Sequence, residues 1–283
     1  MYGLKKIGTD TEIFLKDKDG KSITAIGLIG GTKQKPRAIL DKLGSAVQED
    51  NVMCEFNTPP AENGTQWVGG INKVLAFIID ELKTKGIVID IVPSVEFDSL
   101  SLAHPQAMHM GCDPDFSAWT LEQNPQLDPS VMKNIRTAGG HIHVSFSYRG
   151  GPPNRIQMMN VIRMMDLTLG VPSVILDTDD RRRNYYGIPG AHRVKAEDRV
   201  EYRTLSNFWI KNDTLKEWAY NNTVDAIRRL NRLGSFGGEE LWGTALEKDI
   251  LQCIRTSDRK LAARLVATSN VQMPEEYNKY YVC

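Results

Sequence analysis

The stretch Ala138-Gly139-Gly140-His141-Ile142-His143-Val144-Ser145-Phe146 constrains the chain most, because its residues alternate strictly. His141, His143 and Ser145 fall on one side, and Ile142, Val144 and Phe146 on the other. A period of two is a strand with one apolar face held on a core and one polar face left for chemistry. The plan recurs. In residues 7–15 Asp10 and Glu12 oppose Thr11 and Ile13, and in residues 52–57 Glu55 and Asn57 oppose Cys54 and Phe56. In residues 199–205 Arg199, Glu201 and Arg203 oppose Val200 and Tyr202, with Leu205 mostly on the core side. Two glycines ahead of His141 are expected to let the backbone come close to a bulky group such as a phosphate.

Helical periodicity supplies the second layer. From Thr65 to Lys85, Trp67, Ile71, Val74, Leu75, Ile78, Ile79 and Leu82 recur at intervals of three and four, and Gly86 stops the helix. Residues 154–169 carry Ile156, Met159, Ile162 and Met165 as a core stripe, and Pro172 is expected to bend the chain into a short helix ending near Asp177. From Asp213 onward the pattern is helical, with later helices over 239–255 and 258–266. A strand is expected near 22–28 and a buried one over 87–95. Residues 99–137 read as a long irregular loop and 179–193 as a glycine-punctuated, arginine-rich one. Gly30-Gly31-Thr32 lacks a phosphate-loop pattern and reads as an ordinary loop. No repeat or low-complexity linker divides the chain, so one domain over 1–283 is expected, with a core over 7–210 and a helical C-terminal layer over 211–283.

Charge excludes some partners. Lys plus Arg equals Asp plus Glu, 35 each, so no global basic field for nucleic acid exists. No apolar run approaches the ~20 residues of a bilayer span, and the N-terminus has no apolar signal core. Cys54, Cys112, Cys253 and Cys283 are scattered without metal-ligand spacing, as expected of reduced thiols in a cytoplasmic protein.

If the alternating strands share one sheet and one exposed face, Asp10, Glu12, Glu55, Glu201, His141 and His143 converge. Crowded carboxylates need cations, and an oxygen-rich set with one or two imidazoles suits Mg²⁺ or Mn²⁺. Arg183, Arg193 and Arg203 add groups that bind phosphate oxygens. Carboxylates, Mg²⁺ and arginines together point to phosphoryl transfer from a nucleotide.

GTDTEIFL, CEFNTPP, GCDPDFSAW, GGHIHVSF, RRRNYYGIPGAHR and RVEYRTLSNFW, in this order, resemble the phage phiEco32-like COOH-NH2 ligases of type 2, within the glutamine synthetase and glutamate–cysteine ligase superfamily. The resemblance implies an α+β fold: an antiparallel half-barrel sheet of the glutamine synthetase catalytic type, backed by helices. It implies ATP-dependent, Mg²⁺-dependent (or Mn²⁺-dependent) joining of a small-molecule or peptide carboxylate to an amine through an acyl phosphate. It further implies that Asp10, His141 and Glu201 hold one metal, Glu12 and Glu55 the other, and His143 nucleotide phosphate. Arg183, Arg193 and Arg203 would neutralise the transferred phosphoryl group and the acyl phosphate, Arg203 also touching the nucleotide. A phage protein of this kind would act in the host cytoplasm. Asp10 stands where a glutamate is common, and Asn57 where a second acid is expected, so the second metal would be weakly held. The glutamine synthetase N-terminal domain has no room before residue 7, which leaves loop 99–137 to wall the cleft and Asp113 or Asp115 to orient the amine. Three other readings use the same residues: a metal-dependent hydrolase, a non-catalytic protein retaining the fold, and a guanidino kinase, which would need Cys54 near the substrate.

Overall fold

A computed structural model describes residues 1–40, 44–108, 114–125, 129–177, 180–234 and 242–280. In chain order the first strands are β1 (Tyr2–Lys16), β2 (Ser22–Ile23), β3 (Arg37–Ile39), β4 (Ser45–Asp50) and β5 (Met53–Asn57), followed by α1 (Gly64–Lys83). Short elements come next: β6 (Val88–Asp90), β7 (Ser94–Glu96), α2 (Pro105–Met108), β8 (Phe116–Ser117), α3 (Pro129–Met132) and β9 (Ile135–Thr137). Then follow β10 (Gly140–Tyr148), α4 (Arg155–Met165), α5 (Val171–Leu176), β11 (Ala191–Ala196) and β12 (Arg199–Tyr202). The described C-terminal helices are α6 (Asp213–Arg232), α7 (Ala245–Thr256) and α8 (Arg259–Thr268).

The large sheet is antiparallel throughout, in the order β3-β4-β5-β1-β10-β12-β11-β8, with β2 and β6 pairing to the far end of β1. β7 and β9 form a separate pair. The alternation sets the layers. Ile7, Ile13, Cys54, Phe56, Ile142, Val144, Phe146, Val200 and Tyr202 face the core, and α1, α4, α5 and α6 supply its other side. Trp67 of α1 stacks on Trp209 at 5.3 Å, clamping α1 to the turn before α6. Asn63 caps α1 by accepting the Gln66 N–H, and Gly86 stands at φ 66° after it. The antiparallel α+β architecture is the one expected.

Several local expectations are corrected. Only Ser22–Ile23 of the 22–28 stretch is a strand, and 87–95 splits into β6 and β7 around Pro93, with Val88 exposed. Ile79 and Ile156 are exposed, whereas Met158, Met159, Met164 and Met165 are all buried. Pro172 does not start a separate helix. A π turn over Asp166–Gly170, with the Val171 N–H bonded to the Asp166 carbonyl, joins α4 to α5 without a break, and Pro172 sits in the first turn of α5. That joined run, Arg155–Leu176, is long and apolar enough to cross a membrane by length and composition alone, but most of its apolar stretch lies buried inside the protein. Arg163 and Asp166 interrupt it by charge, so it is not a continuous apolar run in the sequence.

The glycines ahead of His141 serve packing rather than a phosphate. A methyl on Gly140 would overlap the Ser206 carbonyl oxygen and sit 2.5 Å from Trp209 Nε1. One on Gly139 would strike the His141 ring. Gly31 likewise admits no side chain, because Arg37 N and Val47 O lie 2.6 Å from where its Cβ would be.

Candidate active site

Directly opposed residues of an antiparallel pair share a face. Asp10 lies opposite His141 on one side and Asn57 on the other. Glu12 lies opposite Glu55, which faces Gln48 of β4. His143 lies opposite Glu201, which faces Arg193 of β11. All these side chains therefore leave the sheet on the face away from the core, with Glu55 and Glu201 among them.

Two carboxylate groups form there. In the first, Asp10 Oδ1 is 3.0 Å from His141 Nδ1 and Asp10 Oδ2 is 3.0 Å from His143 Nε2. Asp10, His143 and Glu201 each offer a ligand atom, all within 4.8 Å of one another. His141 is adjacent, with Nδ1 3.5 Å from Glu201 Oε1, but its Nε2 is engaged by the Tyr186 hydroxyl at 3.2 Å. The structure thus brings both histidines to this centre: a His143 ring nitrogen groups with the Asp10 and Glu201 oxygens, and His141 Nδ1 lies beside the same two carboxylates. In the second group, Glu12, Asp50 and Glu55 offer ligand atoms within 4.8 Å of one another. Asp50, at the end of β4 beside the turn residue Asn51 (φ 54°), supplies the acid that Asn57 does not. Sequence reading missed it; its signal was the Asp-Asn pair ahead of VMCEFN, which is turn chemistry placing Asp50 at a hairpin end.

Burial and crowding set the charge states. Burial, then the Asp50 charge, push Glu12 up to about 8, although its Oε2 accepts the Gly139 N–H at 2.5 Å. Burial and the charges of Asp10, Asp50 and Glu12 drive Glu55 well above the usual carboxylate range. Burial also works against ionisation of Asp10, but the adjacent His143 and His141 outweigh it and hold Asp10 well below its ordinary value. Burial and the Arg203 charge lower His141 to about 4, so it is neutral at pH 7.

Divalent cations suit both groups. Glu201 is fully buried, and its Oε2 has no hydrogen-bond partner among the described residues. Three carboxyl groups crowd together at the other group, and the donors of the two groups are oxygens with one imidazole, the set that Mg²⁺ or Mn²⁺ takes.

The arginines divide. Arg203, 1% exposed, pairs through Nη1 with Glu201 and through Nη2 with the Tyr186 hydroxyl, and its Nε is 3.5 Å from Asp115. Arg193 Nη1 is 3.9 Å from Glu201. Arg183 is not at this face. Its Nη2 donates to Ser173 Oγ on α5, behind the sheet, so its expected role in neutralising phosphate is withdrawn. The neighbouring Arg182 faces inward instead, donating to the Ala138, Thr204 and Leu205 carbonyls at 2.8 Å and lying over the Tyr186 ring. A short turn over Arg181–Asn184 separates the two directions, which counting along RRRN did not reveal.

A cleft of about 520 Å³ opens beside the first group, lined among others by Asp10, Asn57, Pro60, His143, Ser145 and Arg199. Residues 57–60, Ala196, Asp198 and Arg199 form its walls, and none of the described residues of loop 99–137 lines it. That loop instead adds β8 to the sheet beyond β11, and it presents Asp115, which pairs with Arg203, and the Pro114 carbonyl, which accepts from Arg193. Asp113 and Cys112 lie outside the described residues.

The segment holding β9 to most of α6, residues 131–229, matches the family described as phage phiEco32-like COOH.NH2 ligase-type 2. The resemblance drawn from the motifs is borne out over that segment, and the enzyme class it carries is that of a carboxylate–amine ligase. No curated protein matches the sequence. Among solved structures, "Apo GmaS without ligand" is similar at 12% identity and a TM-score of 0.44, covering 100% of this chain and 73% of that one. "GmaS/ADP complex-Conformation 1" is similar at 10% identity and a TM-score of 0.40, covering 99% and 73%.

Proposed function

We propose that the protein is an ATP-dependent carboxylate–amine ligase, working as one catalytic unit on a small-molecule or peptide acid and a small-molecule or peptide amine. The observation that carries this is the pair of carboxylate groups side by side on one sheet face, with Arg203 and Arg193 against one and a polar cleft beside it. The ligase family match to the segment holding His141, His143, Arg193, Glu201 and Arg203 supports it.

Asp10, His143 and Glu201 would hold one divalent cation, with His141 fixing Asp10, and Glu12, Asp50 and Glu55 would hold the other. Bound there, Mg²⁺ or Mn²⁺ supplies charge neutralisation for a polyphosphate. The nucleotide lies in the cleft, its phosphates toward His143 and Arg199. A carboxylate oxygen of the acid attacks the γ-phosphorus, the bond to ADP breaks, and an acyl phosphate forms. The amine then attacks the carbonyl carbon, and the tetrahedral intermediate expels phosphate as the nitrogen loses a proton. Arg203 and Arg193 offset charge on the phosphoryl oxygens in both steps. Such an enzyme acts where ATP is held, in a cytoplasm. Cys54 argues against guanidino-kinase chemistry: it lies on the core face, fully buried, with its thiol pushed up by burial.

Incubation with ATP, Mg²⁺ and pools of acids and amines should release ADP and phosphate only when both acceptors are present. Hydroxylamine in place of the amine should yield a hydroxamate. Phosphate release without an acid, or amide turnover without ATP, refutes the proposal.

A further inference from the structure

Glu201 is the one carboxylate of the first group that is wholly buried, and Lys195 is the cation whose position at it is least expected. Lys195 sits in β11, whose ladder with β12 runs Arg193 opposite Glu201 and Val194 opposite Val200, then jumps to Ala196 opposite Arg199. Lys195 is therefore the extra residue of a β-bulge. In a regular ladder it would stand directly opposite Arg199, a like-charge pair. The bulge removes that repulsion and re-aims the side chain, as bulges beside active sites commonly do. Its ammonium comes to 3.0 Å from Glu201 Oε2. That oxygen still lacks a properly directed hydrogen bond, so Lys195 acts on it as a nearby point charge rather than as a fixed donor. The other oxygen, Oε1, is committed to Arg203. The Lys195 side chain is 34% exposed, whereas Arg203 is 1% exposed. Of the two, only Lys195 reaches solvent, and its chain neighbour Ala196 lines the cleft wall together with Asp198 and Arg199.

We propose that Lys195 is a displaceable counter-ion of Glu201. It lies against that carboxylate while no metal is bound, yields Oε2 to a divalent cation, and then turns its ammonium to an anionic group in the adjoining cleft. This rests on the ligase reading above. Lys195 is in this sense a positioning residue, and it couples cation binding at Glu201 to anion binding in the cleft.

The test uses the full-length protein, K195M and E201Q, with Mn²⁺ followed by calorimetry or by its paramagnetic resonance signal. In wild type, Mn²⁺ binding should depend on Glu201. In K195M without nucleotide, Mn²⁺ should bind roughly fivefold tighter, because a competing cation is gone. A non-hydrolysable ATP analogue, titrated with Mn²⁺ saturating, should bind several-fold more weakly. K195R should restore the analogue affinity toward wild type. If Mn²⁺ binding depends on Glu201 but K195M leaves it unchanged or weaker, the counter-ion proposal is overturned while the ligase reading stands. If wild type and E201Q bind Mn²⁺ alike, or neither binds it, the metal assignment falls and this proposal with it.

Discussion

Glu12 offers the sharpest test of the second carboxylate group, because its ionisation is opposed by the fold itself. Its ordinary value of 4.5 is raised to about 8, first by burial and next by Asp50. In that window the unfolded chain has lost the proton and the folded chain keeps it, so stability falls as pH rises from about 4.5 to about 8 and levels off above. At 1.36 kcal/mol per pH unit the difference amounts to at most about 5 kcal/mol at pH 8. Glu12→Gln keeps an acceptor for the Gly139 N–H and removes the charge. It should therefore match wild type at pH 4.5 and exceed it increasingly toward pH 8. At roughly 2 °C per kcal/mol the gain is several degrees in Tm, read by differential scanning calorimetry in chelator. Added Mn²⁺ should reverse the order: it raises the wild-type Tm most at pH 8, where displacing a proton is easiest, and raises that of Glu12→Gln little. Parallel pH profiles for the two proteins in chelator, or wild-type stability rising with pH relative to Glu12→Gln, would show that Glu12 is not a strained carboxylate awaiting a cation.

Two further predictions follow from the packing. Gly140→Ala should cost about 3 kcal/mol or more, since its methyl meets the Ser206 backbone rather than a pliable side chain; thermal denaturation monitored by circular dichroism measures it, and a loss under 1 kcal/mol refutes the close-packing account. Arg183→Met should alter stability while leaving kcat near wild type, because its guanidinium lies behind the sheet against Ser173, whereas Arg203→Met should abolish amide formation; equal losses of kcat would return Arg183 to the reacting centre.

What could be read from the chain alone follows from the period of the strands. Alternation in 7–15, 52–57, 138–146 and 199–205 assigns each residue to a face, and those assignments hold in the sheet register. Asp10, Glu12, Glu55, His141, His143, Glu201 and Arg203 could thus be placed together without coordinates. Short edge strands were not legible. β3 has three residues, β8 has two, and β11 interrupts its own period with a bulge, so none shows alternation long enough to register. Asp50 and Lys195 were missed for that reason, since each depends on a hairpin end or a bulge rather than on a face. Arg183 failed differently: adjacent arginines in a tight turn point in unlike directions, and composition cannot tell which one turns toward the carboxylates.

The missed residues bear on the chemistry. Asp10, Glu12, Glu55 and Glu201 alone gather negative charge with no sign of how an empty or filled site is kept in balance. Asp50 adds to the repulsion at one group, and its charge helps raise Glu12 and Glu55. Lys195 does the opposite at the other group, lying 3.0 Å from a carboxylate that Arg203 already holds. Two groups on one sheet face, linked through Asp10 and Glu12 of β1, are thus poised in contrasting ways. The Glu12 group retains protons that a cation must expel, and the Glu201 group retains a tethered ammonium that a cation must move. It follows that cation binding at the Glu12 group should weaken as pH falls below about 8, whereas binding at the Glu201 group should respond to the charge at position 195.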